Sequence, residues 1–112
     1  MIAETRTSAP DADANGAATA PVRIAGSLSL VLPAHNEAEN IEIVVERALD
    51  VLPNFTHEFE IIVVNDGSRD RSGEILDRFA AREPRLRVIH FARNYGQTAA
   101  LMAGFWAARA PV

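Results

Sequence analysis

Phe59-Glu60-Ile61-Ile62-Val63-Val64-Asn65-Asp66-Gly67-Ser68 is the stretch on which the fold turns. Apart from Glu60 it opens as a continuous apolar, largely β-branched run, as expected of a strand covered on both faces in a parallel sheet. Asn65-Asp66-Gly67-Ser68 then reads as a turn. A carboxylate buried at the end of such a strand is costly unless something donates to it, and a ligand N–H is one candidate donor. Asp-Gly is also a common turn signal, and Ser68 or Asp70 can be present only to cap the next helix. Both readings of Asp66 stay open at this point.

Working outward, the pattern on either side alternates in the same way. Leu28-Ser29-Leu30-Val31-Leu32 reads as an earlier strand, ended by Pro33, which cannot donate to a sheet ladder. Asn36 with Glu39 resembles a capping box, and Ile41, Val44, Val45, Ala48 and Leu52 follow at the spacing of a helix that buries one face, closed by Pro53. Downstream, Asp70 is expected to cap a second helix with Ile75, Leu76, Phe79 and Ala80 inward and Pro84 at its end. Residues 86–91 give a third strand, Arg93-Asn94-Tyr95-Gly96 a third turn, and 97–109 an Ala-rich helix that is apolar nearly all round. Such a helix is expected to be buried on more than one side, with Met102, Phe105 and Trp106 in the core and Gly104 permitting close packing. The order β-α-β-α-β-α implies an α/β fold with a doubly wound, mainly parallel sheet and helices on both faces. Ligands of such sheets lie beyond the carboxyl ends of the strands, where all three turns fall.

The composition bounds the rest. A chain of 112 residues is expected to make one domain, and 48% hydrophobic with 23% charged residues is a globular balance. Residues 1–26 hold few sizeable apolar side chains and read as a flexible leader, with the folded part from 27 to 112. Eleven basic against fifteen acidic residues give a formal charge of −4, which disfavours nucleic acid as a partner. Without cysteine there is no disulfide, thiolate metal site or cysteine nucleophile. His57 and His90 stand alone, without a second ligand at metal spacing. The apolar run at 99–108 is about half of what a helix needs to cross a bilayer, so no membrane span is expected. Neither GxGxxG nor GxxxxGK[ST] nor a nucleophile elbow occurs. Paired acids after the first strand, the mark of a phosphorylated receiver, are absent too.

Three constellations could carry chemistry. Pro33-Ala34-His35-Asn36-Glu37 is either a nucleoside cradle, with His35 offering an aromatic face and Glu37 accepting hydrogen bonds, or a strand-to-helix turn with Asn36 as cap. The turn at Asp66 is either a site or only a turn. Arg93-Asn94-Tyr95-Gly96 would suit a diphosphate, through the Arg93 charge and free N–H groups at a helix start, or is a loop in which Gly96 supplies an unusual backbone angle.

Taken together, Leu30-Val31-Leu32-Pro33-Ala34-His35-Asn36-Glu37, Ile61-Ile62-Val63-Val64-Asn65-Asp66-Gly67-Ser68 and Arg93-Asn94-Tyr95-Gly96-Gln97-Thr98-Ala99-Ala100 resemble, in order and spacing, the start of family 2 glycosyltransferases, in particular the polyprenyl (dolichyl) phosphate sugar transferase branch. The resemblance runs over 27–109. It implies the front half of a GT-A, Rossmann-like fold that binds a nucleoside diphosphate sugar, linked to UDP or GDP. Pro33, His35 and Glu37 would contact the nucleoside, Val64 and Asp66 would line the base, and Arg93 and Gly96 would lie near the phosphates. His35 stands where many members have Tyr, and Asn65 where many have a first Asp. The family's Asp-x-Asp motif, which holds Mg²⁺ or Mn²⁺, its catalytic base and its acceptor site would all fall after Val112. No catalytic or metal-ligating residue is therefore assigned within this stretch, and by itself it is expected not to transfer sugar. The resemblance also implies a cytoplasmic location, with membrane association in a full-length parent. The other reading is a non-catalytic nucleotide-binding or interaction module. If the strand order is doubly wound with a missing neighbour, 28–32 becomes an exposed apolar edge through which the chain self-associates or takes a partner.

Overall fold

The computed structural model describes residues 3–4 and 26–109. Its elements are β1 (Ala3–Glu4), β2 (Ser27–Ala34), α1 (Ile41–Val51), a 3₁₀ turn (Leu52–Asn54), β3 (Glu58–Asn65), α2 (Ser72–Arg82), β4 (Leu86–His90) and α3 (Gln97–Ala107). The sheet order is β1-β2-β3-β4. β2, β3 and β4 run parallel, with Leu30 opposite Ile61 and Val63 opposite Val88. β1 adds antiparallel to the free side of β2, Ala3 opposite Val31. The expected leader therefore contributes a short strand at Ala3–Glu4, and its remainder lies outside the described residues apart from Gly26.

Strand periodicity divides the core in two. Leu28, Leu30, Leu32, Ile61, Val63 and Leu86 face α1 and α2, meeting Ile41, Val45, Leu76 and Phe79. Ile62 and Val64 face α3 and meet Ala100. Ile61 to Val64 are all fully buried, as the apolar run of β3 requires. Helices thus cover both faces of a parallel sheet, the doubly wound arrangement expected of the alternating pattern.

Several local expectations are corrected by tertiary contacts. Pro33 does not end β2, which runs on to Ala34. The Ala34 carbonyl accepts the Asp66 N–H at 2.8 Å, so the even-numbered residues of β2 bond to β3. The Pro33 nitrogen then faces the other edge, where a missing donor costs nothing. The side chains of 28–32 are not exposed either: Leu28, Leu30, Val31 and Leu32 are buried, and what stays open is backbone beyond the two residues that β1 covers. In α1, Val44 points outward while Ile41 and Val45 meet the sheet, because one helix face is all the sheet can cover.

α3 departs furthest from expectation. Gly104 is buried so closely against β2 that a Cβ there would lie 2.2 Å from Val31 Cγ1. Met102, Phe105 and Trp106, expected in the core, are 52%, 43% and 86% exposed. α3 is the single helix on its face of the sheet among the described residues, so its outer side has no layer to pack against.

Candidate functional site

The three turns meet at the carboxyl edge of β2, β3 and β4, and backbone hydrogen bonds knit them into one surface. Asn36 does not cap α1, which starts at Ile41 with Asn40 at the cap position. It adopts a left-handed backbone, φ 53°, and its side chain reaches across to the second turn. Asn36 Oδ1 accepts the Arg69 N–H at 2.8 Å, and the Asn36 N–H donates to Ser68 Oγ at 2.9 Å. The Glu37 N–H donates to Ser72 Oγ at 2.9 Å and the Ala38 N–H to Asp70 Oδ2 at 3.2 Å. α2 starts at Ser72 with Arg71 at the cap position, so Asp70 stands one residue before the cap it was expected to be. Its Oδ1 takes both the Ser72 hydroxyl at 2.6 Å and the Ser72 N–H at 2.9 Å. These donors, the Ser72 hydroxyl foremost, hold the Asp70 carboxyl below its ordinary range.

Asp66 lies at the centre and is 4% exposed. Its donors come from the third turn: the Tyr95 N–H to Oδ1 at 2.7 Å, the Gly96 N–H to Oδ2 at 2.9 Å and Asn94 Nδ2 to Oδ2 at 3.2 Å. The cost of burying this carboxylate is thus met within the protein, at the start of α3, where the helix dipole also favours negative charge. Gly67 allows the second and third turns to touch. At φ 64° it packs so closely that a Cβ would sit 2.2 Å from the Arg93 carbonyl carbon.

His35 Nδ1 is 2.7 Å from the Asp66 carbonyl oxygen and therefore carries the proton. Nε2 is then a lone pair, and it accepts Asn36 Nδ2–H at 3.2 Å. Asn94 Nδ2, 3.1 Å from Nδ1, is a second donor converging on the Asp66 carbonyl, at 3.3 Å, rather than a partner of the ring. His35 and Glu37 are both exposed, and the Glu37 carboxylate has no protein partner among the described residues.

Arg93 is exposed and lies 4.8 Å over the Tyr95 ring, which meets Phe91 edge-on at 5.5 Å. It has no carboxylate partner among the described residues, so its charge is available to an anion. Gly96 has φ 100° and is the N-cap position of α3, where its N–H is already taken by Asp66. Pro33 is half-buried within β2. Val64 is fully buried against α3, so its side chain offers no surface to a ligand.

Asn65 explains its own departure from the more usual Asp. Its Nδ2 donates to His90 Nδ1 at 3.0 Å, its Oδ1 accepts the Ser68 N–H at 3.2 Å, and His90 Nε2–H donates to Asp77 Oδ1 at 2.7 Å. The amide serves both contacts at once, with Nδ2 as donor and Oδ1 as acceptor, whereas a carboxylate at 65 would bring no donor of its own. Asn94 and Ser72 hold the site together but were not singled out in the sequence. Asn94 carries only the local signal of a turn residue and Ser72 that of a helix start next to Asp70, because the contacts that tie the turns together, Asn94 to Asp66 and Glu37 to Ser72, span 28 and 35 positions. No group of three or more His, Asp or Glu side chains that could hold a metal ion occurs among the described residues.

Among the described residues, the carboxyl-edge turns of this doubly wound α/β sheet thus surround an exposed imidazole, a carboxylate and a guanidinium that have no charged partner, at the edge where ligands of such sheets bind. The chain belongs to glycosyl transferase family 2, whose family model matches residues 29–112. Among its relatives are undecaprenyl-phosphate 4-deoxy-4-formamido-L-arabinose transferases. That of Photorhabdus laumondii is 45% identical over 80 residues, covering 70% of this chain and 24% of the relative. That of Pseudomonas fluorescens is 45% identical over 87 residues, covering 76% and 25%, and that of Yersinia enterocolitica 45% over 80, covering 70% and 24%. The chain spans about a quarter of the length of the curated relatives it matches. Family membership makes it a glycosyltransferase domain, and the fold is that of the front half of a GT-A enzyme. No helix among the described residues is long and apolar enough to cross a membrane.

Proposed function

We propose that this chain forms the nucleoside subsite of a sugar transferase that uses a UDP- or GDP-linked sugar. The observation that carries this reading is the exposed His35 ring, anchored by its edge to the Asp66 carbonyl at the carboxyl end of the sheet. A flat ring held in this way offers a face to a base, Glu37 can accept from ring or ribose donors, and Arg93 can meet a phosphate. Asp66 acts as the support of that surface, since its carboxylate is occupied by the third turn.

The parent reaction, on this reading, moves a sugar to a polyprenyl phosphate, in line with the acceptor in the relatives' names. The bond from the anomeric carbon to the diphosphate oxygen breaks, the diphosphate leaves with the electron pair, and an acceptor phosphate oxygen bonds the anomeric carbon. Mg²⁺ or Mn²⁺ is the expected metal of the full-length enzyme. The described residues do not fit it, so no step is assigned to the metal here. We place the domain in the cytoplasm, where nucleotide sugars are made. The exposed apolar side of α3 favours a second use of the same chain, as a module that docks on a partner or on its own copy.

Calorimetric titration with UDP and GDP, with and without Mn²⁺, tests the main reading, with Glu37→Gln as the variant because that side chain supports nothing else. Saturable binding that weakens about tenfold, or ~1.4 kcal/mol, in the variant is expected. A folded chain that binds neither nucleotide would remove the reading.

A further inference from the structure

Asn36 is the single non-glycine residue with positive φ among the described residues. Glycine would reach that backbone more easily, so its side chain must supply something that glycine cannot. Both ends of the amide are engaged. Oδ1 accepts from Arg69 N–H across the edge, and Nδ2 donates to His35 Nε2 on the neighbouring residue. Asparagine alone combines tolerance of this backbone with a donor and an acceptor on one short fork. Aspartate has no donor, and alanine has neither group.

We propose that Asn36 is a positioning residue of the nucleoside site, holding His35 as the Nδ1–H tautomer so that the ring serves as a stacking platform for a flat heteroaromatic base. The Asp66 carbonyl fixes one edge of the ring through Nδ1–H, and the Asn36 amide fixes the other through the Nε2 lone pair. With both nitrogens engaged by the protein, the ring has no free donor for a phosphate. What remains for a ligand is the ring face. Because Asn36 is tied in turn to Arg69 and Ser68, the plane of the platform is set by the second turn rather than by His35 itself. The ligand in this inference rests on the nucleoside reading above, whereas the tautomer does not.

The experiment has two independent readouts. In ¹⁵N-resolved spectra of the imidazoles of the full chain, in mildly alkaline buffer, His35 is expected to show a protonated Nδ1 and an unprotonated Nε2. Asn36→Gly, which keeps the backbone angle, is expected to shift His35 toward the Nε2–H form and to weaken UDP or GDP binding by about three- to tenfold through lost preorganisation. Inorganic pyrophosphate, which has no base, should bind both proteins alike. His35→Phe, which keeps a ring but loses both anchors, should lose at least as much as Asn36→Gly, and His35→Leu clearly more again, the difference between a ring that stacks and a side chain that does not. An Nε2–H ring in the wild-type chain, an unchanged tautomer in Asn36→Gly, or equal losses in the Phe and Leu variants would each overturn the proposal. If the wild-type chain binds no nucleotide while the Nδ1–H signature is present and depends on Asn36, the nucleoside reading fails and the positioning role of Asn36 stands.

Discussion

Asp66 accepts the backbone N–H of Gly96 at 2.9 Å, and through this bond the end of β3 holds the start of α3. An acid within β3 holds the other end. Glu60 Oε2 accepts the Arg109 N–H at 2.6 Å, just past the helix, and Oε1 pairs with Arg87 Nη1 at 2.8 Å, which also donates to the Ala107 carbonyl. α3 has no acidic residue in its first turn and no basic residue in its last. Its dipole is complemented from outside, by Asp66 at the positive end and Arg87 at the negative one.

Asp66→Ala should therefore act on folding before it acts on ligand binding. Three donors lose their acceptor, two of them backbone N–H groups, for an expected cost of about 1–3 kcal/mol. Amide exchange should accelerate at Tyr95 and Gly96 by more than it does in the middle of β3, where only the global loss of stability is felt. Equal protection of both amides in the variant would show that the carboxylate does not hold the turn.

Glu60 sets an acid limit on stability. Burial raises its pKa, but hydrogen bonds from the Ser29 hydroxyl, the Arg109 N–H and Arg87, with the Arg87 charge, outweigh this and lower it below 4.5. A carboxyl with a depressed folded pKa stabilises above its unfolded value and loses that contribution as pH falls through the folded value. Denaturant unfolding at a series of pH values should show the wild-type chain converging with Glu60→Gln below pH 4.5, from a difference of about 1–3 kcal/mol at neutral pH. A gap that persists in acid would place the effect elsewhere.

Gly104→Ala tests the packing of α3 on β2. The added methyl meets Val31 Cγ1 at 2.2 Å, so the helix must move or Val31 must leave its rotamer, at an expected cost of about 1–3 kcal/mol. Val31→Ala in the same chain should return part of that loss. Thermal unfolding of the two single variants and the double variant measures the coupling, and strict additivity would mean that the two residues do not touch.

Trp106 reports on the outer side of α3. As the single Trp of the chain and 86% exposed, it should emit as a hydrated indole in dilute protein. At higher concentration, burial of Met102, Phe105 and Trp106 between copies should shift the emission to the blue, with a matching rise in sedimentation coefficient. Trp106→Ser should abolish the rise in sedimentation coefficient and alter stability by no more than ~0.5 kcal/mol. Association that survives this variant would return attention to the open backbone of β2.

The amino-acid sequence by itself determined the alternation of strands and helices, the burial of β3 on both faces and the place of the three turns at one sheet edge. These follow from the apolar periods of 61–64 and 75–80 and from the turn residues around Asp66, all of which act within a few positions. Tertiary structure decided what the polar residues of those turns do. Asn36 has the local signature of a helix cap, yet it bonds to Arg69, 33 positions away, and Asp66 finds its donors 28 to 30 positions away. Likewise the composition of α3 is apolar on every side, but only the side bearing Ala100 and Gly104 meets the sheet, and Trp106 is left in solvent. A side chain's period fixes the face it belongs to, whereas its hydrogen-bond partner and its cover are fixed by which other segments the fold brings within about 3–4 Å.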